Sequence, residues 1–154
     1  TLSHKLTPVS LQQDRFGEAL DDLAREEEEK FPGTCTFVSY PSTPAVSNHT
    51  VATHLHRIAR EAVINARTHA NPEHIVIRLR QDNDALLLSI HNDGPDWDPN
   101  ALPADSGRGL ARMQYRAHLI DGTVHISHSH GNTMVVCRVP IHRLSDREQA
   151  TEGQ

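Results

Sequence analysis

Glu61 and Asn65 stand four residues apart within a stretch whose apolar residues recur at helical spacing, so both project from one face of a single helix, with Thr68 and His69 one turn further on. A carboxylate beside a carboxamide suits a magnesium site. Mg²⁺ takes hard oxygen ligands and is usually shared between one protein oxygen and the phosphates of a substrate, and Asn65 has such an oxygen to give. A polar pair on an exposed helix face has the same pattern. Asn92-Asp93-Gly94 follows a strand-like run that ends at Ile90, which puts polar side chains and a flexible residue at a strand terminus, where ligands are commonly held. An ordinary Asx turn also fits those three residues. Ser106-Gly107-Arg108-Gly109-Leu110 places two glycines just before a helix, where backbone N–H groups can approach an anion at the positive end of the helix dipole. The segment has no Lys-Ser/Thr pair and does not follow a strand, which excludes the P-loop and dinucleotide fingerprints and leaves a phosphate cradle or a plain turn.

Positioning these groups falls to elements predicted from the hydrophobic pattern. Phe16, Ala19, Leu20 and Leu23 recur at helical spacing between Leu11 and Lys30, and Pro32-Gly33 ends that helix. The acidic run Glu26 to Glu29 has the wrong sign for the helix end and is expected to be a solvated face. Thr34 to Tyr40 is β-branched and aromatic enough for a strand, and a loop rich in Pro, Ser and Thr follows. The best-defined helix runs from about Asn48 to His69, with Leu55, Ile58, Ala62 and Ala66 toward the core and Asn71-Pro72 stopping it. His74 to Leu79 and Ala85 to Ile90 alternate and are expected to pair antiparallel across the turn Arg80 to Asp84. His91 to Arg108 shows no periodicity and is expected to be a long, functional loop. Helical spacing returns from Gly109 to Leu119, Asp121-Gly122 makes the turn out, and strands Thr123 to Ser127 and Thr133 to Val139 meet at His130-Gly131-Asn132. The tail beyond Pro140 is expected to fray. These elements add up to an α+β, two-layer sandwich with about three helices on one face of a mixed, mostly antiparallel sheet.

A chain of 154 residues with a formal charge of -5 can bury a core as one domain without metals or disulfides, and its sign disfavours a nucleic-acid partner. The expected domain is residues 1–154, with a core of about residues 8–141 and a flexible tail over residues 142–154. Cys35 and Cys137 lie far apart without a CxxC spacing, which suggests a reducing, cytoplasmic setting. No apolar run approaches the roughly 20 residues that span a bilayer, so no membrane contact is expected of this fragment. The chain begins at Thr1 rather than Met, as a piece of a longer protein would. Twelve histidines raise a metal-binding reading, but His54 and His56 are not one turn apart, and strand alternation sends His125 and His128 to opposite faces, with His130 in the turn.

In their order and spacing these motifs resemble those of the GHKL superfamily of ATP-binding domains, and within it the sensor histidine kinases that signal to response regulators with a helix-turn-helix output domain. Arg60 to Ala66 with His69 is similar to the family's N box, Ile90 to Asp96 to its first glycine box, and Gly107-Arg108-Gly109-Leu110 to its second. Met113, Tyr115-Arg116-Ala117, Ile120-Asp121-Gly122, Gly131-Asn132-Thr133 and Val139-Pro140 continue the likeness. Upstream it takes in Leu6-Thr7-Pro8-Val9 with Ala19-Leu20, and Ala52 to Ile58, so it covers about Leu6 to Ile141. The resemblance implies that ATP and Mg²⁺ are bound, Mg²⁺ by Asn65, with Glu61 where related ATPases place a base. Asn92 would take the position that reads the adenine amino group, Gly94 would support that turn, and Thr133 would help to close the adenine pocket. Gly107, Arg108, Gly109 and Leu110 would cradle the phosphates, and His69 belongs to the same nucleotide-binding set.

The implied partners are a dimerisation helix carrying the phosphoacceptor histidine of the same kinase and a response regulator that takes the phosphoryl group onward. His4 lies too close to the start to be the acceptor, so the fragment is expected to bind nucleotide without phosphorylating itself. The chain departs from the family pattern with Asn92 for Asp, Asp96 for Gly, Thr68 for a basic residue and Asn132 for Gly. Losing the charge of an aspartate at Asn92 weakens a hydrogen bond to adenine by on the order of 1 kcal/mol. Two competing readings are a degenerate module kept for docking, and a GHKL serine kinase acting on an anti-sigma partner; Pro8 to Ala24 and Tyr115-Arg116-Ala117 favour the histidine-kinase branch.

Overall fold

Three helices cover one face of a five-stranded sheet in the computed structural model, which describes residues 15–40, 42–95 and 104–146, the backbone alone for 104–108. In chain order the elements are α1 (Phe16–Glu28), β1 (Thr34–Ser39), α2 (His49–His69), β2 (His74–Gln81), β3 (Ala85–Asn92), α3 (Ala104–Leu119), β4 (Thr123–Ser129) and β5 (Asn132–Pro140), followed by a 3-10 turn at Ile141–Arg143. The sheet order is β1-β2-β3-β5-β4. Only β1 and β2 run parallel, because α2 carries the chain back across the sheet between them, while the remaining neighbours are antiparallel. The mixed two-layer arrangement and the β2–β3 hairpin agree with the sequence pattern.

Alternation along the strands explains the single core. Ile75, Ile77 and Leu79 of β2, Leu86, Leu88 and Ile90 of β3, and Val135, Cys137 and Val139 of β5 are buried together under Leu20 and Leu23 of α1, Leu55 and Ile58 of α2, and Met113 and Ala117 of α3. The opposite face of the strands carries Arg78, Arg80 and Arg138, all exposed. Each large aliphatic side chain so removed from water contributes about 1.5–3 kcal/mol. Asn48 caps α2, its Oδ1 accepting the Val51 N–H at 3.1 Å. At the other end of α2 Asn71 adopts a left-handed φ of 55°, as does Asp121 after α3 at 60°, so both helices end on residues that tolerate that conformation. His130 and Gly131, with φ of 51° and 79°, form the two-residue turn between the paired Ser129 and Asn132, and two positive φ values suit the twist of a tight hairpin.

Three expectations require correction. The acidic run at the end of α1 is not simply a solvated face: Glu27 is 1% exposed, and its carboxylate accepts from Arg67 Nε on α2 and from Lys30 Nζ, both at 2.8 Å. Glu28 Oε1 accepts the Cys35 N–H at 2.9 Å. The chain beyond Pro140 does not fray at once, since Leu144 is buried and its carbonyl accepts the N–H groups of Ser47 and Asn48 just before α2. Helix α3 begins at Ala104 rather than Gly109, so the glycine-rich segment is helical. Small or acidic residues, Ala104-Asp105-Ser106, suit a first turn, and two glycines weaken a helix by only about 1 kcal/mol each, which packing against a neighbour offsets.

Candidate functional site

The helix α2 presents Glu61 and Asn65 on the side that α3 crosses. Gly109 comes so close to them that a Cβ built on it would lie 2.9 Å from Asn65 Nδ2 and 3.4 Å from Glu61 Oε2. A side chain there would meet the tips of Asn65 and Glu61, while backbone shape does not call for glycine. Asn65 is 9% exposed, and its carboxamide makes no hydrogen bond among the described residues. The amide oxygen is a hard, neutral donor, the kind that suits a cation such as Mg²⁺. Glu61 is a quarter exposed and pairs with Arg112 Nε at 3.1 Å. Arg112 was not singled out from the sequence; its place one helical turn after Gly109, on the same face of α3, is the signal that could have found it.

The second group of residues sits at the end of the sheet. Asn92, the last residue of β3, is 2% exposed and lies opposite Thr133 of β5. Its Oδ1 accepts the Gly94 N–H at 2.9 Å, so the turn that was one reading of Asn92-Asp93-Gly94 does form, and a carbonyl oxygen keeps a second lone pair for another donor. Thr133, 1% exposed, bonds through Oγ1 to His128 Nδ1 at 2.7 Å. Gly94 packs on the C-terminal end of α2, where a Cβ would run into the carbonyl oxygen of Ala70. Ala70 lies five residues beyond Asn65, or about 7.5 Å along the helix at 1.5 Å per residue. The two groups are thus disposed along one helix, Asn65 toward α3 and Gly94 with Asn92 at the strand end.

Other expected residues stand further from these contacts. His69 is exposed at the last turn of α2, next to Thr68, whose hydroxyl donates to the Ile64 carbonyl at 2.7 Å. Leu110 is half-buried and packs against the core. Gly107 is the fourth residue of α3, so its amide, like those of Gly109 and Leu110, falls within the helical ladder, and the N–H groups without intrahelical partners belong to the residues before it. The side chain of Arg108, and Asp96, lie outside what the structure describes.

Titration behaviour around α2 follows from its burial. His54 is held below the ordinary imidazole range by burial and by the charges of Arg116 and Arg57. His56 is lowered chiefly by burial, with Glu26 opposing. At Glu27 burial pushes the carboxyl up, but the hydrogen bonds and charges of Lys30 and Arg67 outweigh it and leave the group below its usual value.

Comparison with known proteins places this arrangement in context. Residues 50–143 match the family model described as histidine kinase-, DNA gyrase B-, and HSP90-like ATPase. The chain is 28% identical over 142 residues to the sensor protein VraS of Staphylococcus haemolyticus, covering 92% of this chain and 40% of that protein. It is 26% identical over 132 residues to the signal transduction histidine-protein kinase/phosphatase UhpB of Salmonella typhimurium, covering 86% of this chain and 26% of UhpB. This chain therefore spans less than half the length of the curated relatives it matches. Among solved structures, the ATP-binding domain of PrrB from Mycobacterium tuberculosis superposes with a TM-score of 0.59 at 19% identity, over 80% of this chain and 92% of that one, a likeness of fold.

Proposed function

The chain belongs to the histidine kinase-, DNA gyrase B- and HSP90-like ATPase family, as an ATP-binding domain of the histidine-kinase kind, and from that premise we propose that it donates the γ-phosphoryl group of ATP to a histidine elsewhere in the same kinase. The observation that carries this reading is the meeting of Glu61, Asn65 and Gly109 where α2 and α3 cross. Asn65 would offer its oxygen to Mg²⁺, which neutralises charge on the phosphates when bound. Asn92, beside Thr133, would accept from the adenine amino group, and the start of α3, its first turn closed by Gly107, would turn the positive end of the helix toward the phosphates. Gly94 would keep the strand end against α2, and Arg108, Leu110 and His69 complete the nucleotide-binding set.

Phosphoryl transfer asks a protein for positioning and charge neutralisation more than for covalent chemistry. The bond from the γ-phosphorus to the bridging oxygen of ADP breaks as an imidazole nitrogen of the acceptor histidine bonds to phosphorus. The acceptor would sit on a dimerisation helix upstream, and a response regulator of the helix-turn-helix output class would take the group onto an aspartate. We place the domain, residues 1–154, on the cytoplasmic side of its kinase. Among the described residues no helix is long and apolar enough to cross a membrane.

One observation favours a second reading, a degenerate module with weak turnover. Glu61 is already paired with Arg112, so one of its carboxylate oxygens is engaged within the protein rather than turned toward a substrate. Incubating the chain with γ-labelled ATP and the separately produced acceptor helices of its own kinase decides between them. Label on the acceptor histidine supports the kinase, whereas a folded chain that binds ATP and transfers none supports the module.

A further inference from the structure

Away from the crossing of α2 and α3, the start of β2 and the end of β3 bring Glu73, His74 and Asp93 together, with one ligand atom of each within 4.8 Å of the other two. We propose that these three residues form a binding site for a zinc-class divalent cation, which neither the nucleotide reading nor the family match assigns. One donor is anchored from outside the set and one from within it. Thr34 Oγ1, on the neighbouring strand β1, is 2.8 Å from His74 Nδ1 and fixes the orientation of the ring. Asp93 Oδ1 accepts the backbone N–H groups of Glu73 and His74 at 2.9 and 2.8 Å, which holds the carboxylate in place and, among the described residues, leaves Oδ2 without a bond. Such supporting contacts are what orient metal ligands.

Two further observations point the same way. Glu73 and Asp93 are held side by side, and among the described residues neither is paired with a lysine or arginine, so both carboxylates have charge to offer a cation. Both also border a cleft of about 680 Å³ that Asn71, His130 and Asn132 help to line, so a cation bound there would keep room for water or a further ligand. One imidazole and two carboxylates select the cation: Mg²⁺ and Ca²⁺ prefer oxygen alone, while zinc accepts nitrogen and oxygen with three protein ligands and an open position. Bound there, zinc would clasp the beginning of β2 to the residue that follows Asn92.

Calorimetric titration of the tag-free chain with zinc chloride, in excess Mg²⁺ and without nucleotide, tests the site. Wild type and His125→Ala, which removes an exposed histidine on β4, are expected to take up one equivalent with equal affinity. His74→Ala and Glu73→Gln, both at exposed positions, are expected to melt as wild type does in chelator and to bind at least about tenfold more weakly. Absence of a stoichiometric zinc site in wild type, or His74→Ala binding as tightly as wild type, overturns the proposal. Because no nucleotide is present, neither result bears on the kinase reading.

Discussion

Gly109 of α3 lies against Asn65 of α2 with no room for a methyl group between them, the Cβ position being 2.9 Å from Asn65 Nδ2. In a helix interior, glycine to alanine usually stabilises by roughly 0.5–1 kcal/mol. At this crossing the methyl must push the carboxamide aside, which a side-chain tip can do at little cost to the fold. Gly109→Ala is therefore expected to melt at or above the wild-type temperature while nucleotide affinity in Mg²⁺ falls by about tenfold, or roughly 1.4 kcal/mol. Calorimetry beside thermal melting reads both quantities, and unchanged affinity would separate Gly109 from the site.

Glu27 ties α1 to α2 through Arg67 from a position that is 1% exposed. Removing one partner of a buried pair leaves the other charge uncompensated and costs about 3–5 kcal/mol, and Arg67, being partly exposed, places the expected loss for Glu27→Ala at the lower end. Urea unfolding measures it. A loss of a few tenths of a kcal/mol would show the pair to be an ordinary surface bridge.

Both α2 histidines with lowered pKa values are neutral in the folded chain at neutral pH. Below the ordinary value of 6.5 the unfolded chain takes up protons before the folded chain does, so stability is full above that value and falls as pH drops through it. Urea midpoints at about pH 7.5 and about pH 5.5 are expected to differ in wild type, and by less in His54→Gln/His56→Gln. An identical difference in the double variant would assign the acid sensitivity to other groups.

Burial pushes the thiols of Cys35 and Cys137 up to about 12, with Glu27 and Glu28 adding to the effect at Cys35. The thiolate is the reactive form, so neither cysteine should react with an aromatic disulfide reagent near neutral pH until denaturant is added. Rapid labelling of the native chain would contradict the burial of both thiols.

Much of the fold was legible because burial imposes strict periods. Ile75, Ile77 and Leu79 alternate, Leu55, Ile58 and Ala62 follow a helical stripe, and both patterns survive in the structure. What the sequence concealed depends on distant partners. Glu27 carries no local mark of burial, since its reason, Arg67, lies forty residues on. The start of α3 was missed because glycine and serine read as loop, whereas closeness to Asn65 is what two helices needed at Gly109. The two halves of the candidate site were visible as motifs, but their arrangement along α2, with Gly94 on Ala70, was not. The pairing of Glu61 with Arg112 is likewise a product of tertiary packing.

Calorimetric titration of the folded chain with a non-hydrolysable ATP analogue, with and without Mg²⁺, in wild type and Asn65→Ala, tests the central claim most directly. Binding that Mg²⁺ strengthens in wild type and leaves unchanged in Asn65→Ala is the predicted result. No binding at millimolar nucleotide, or equal strengthening by Mg²⁺ in the variant, would contradict it.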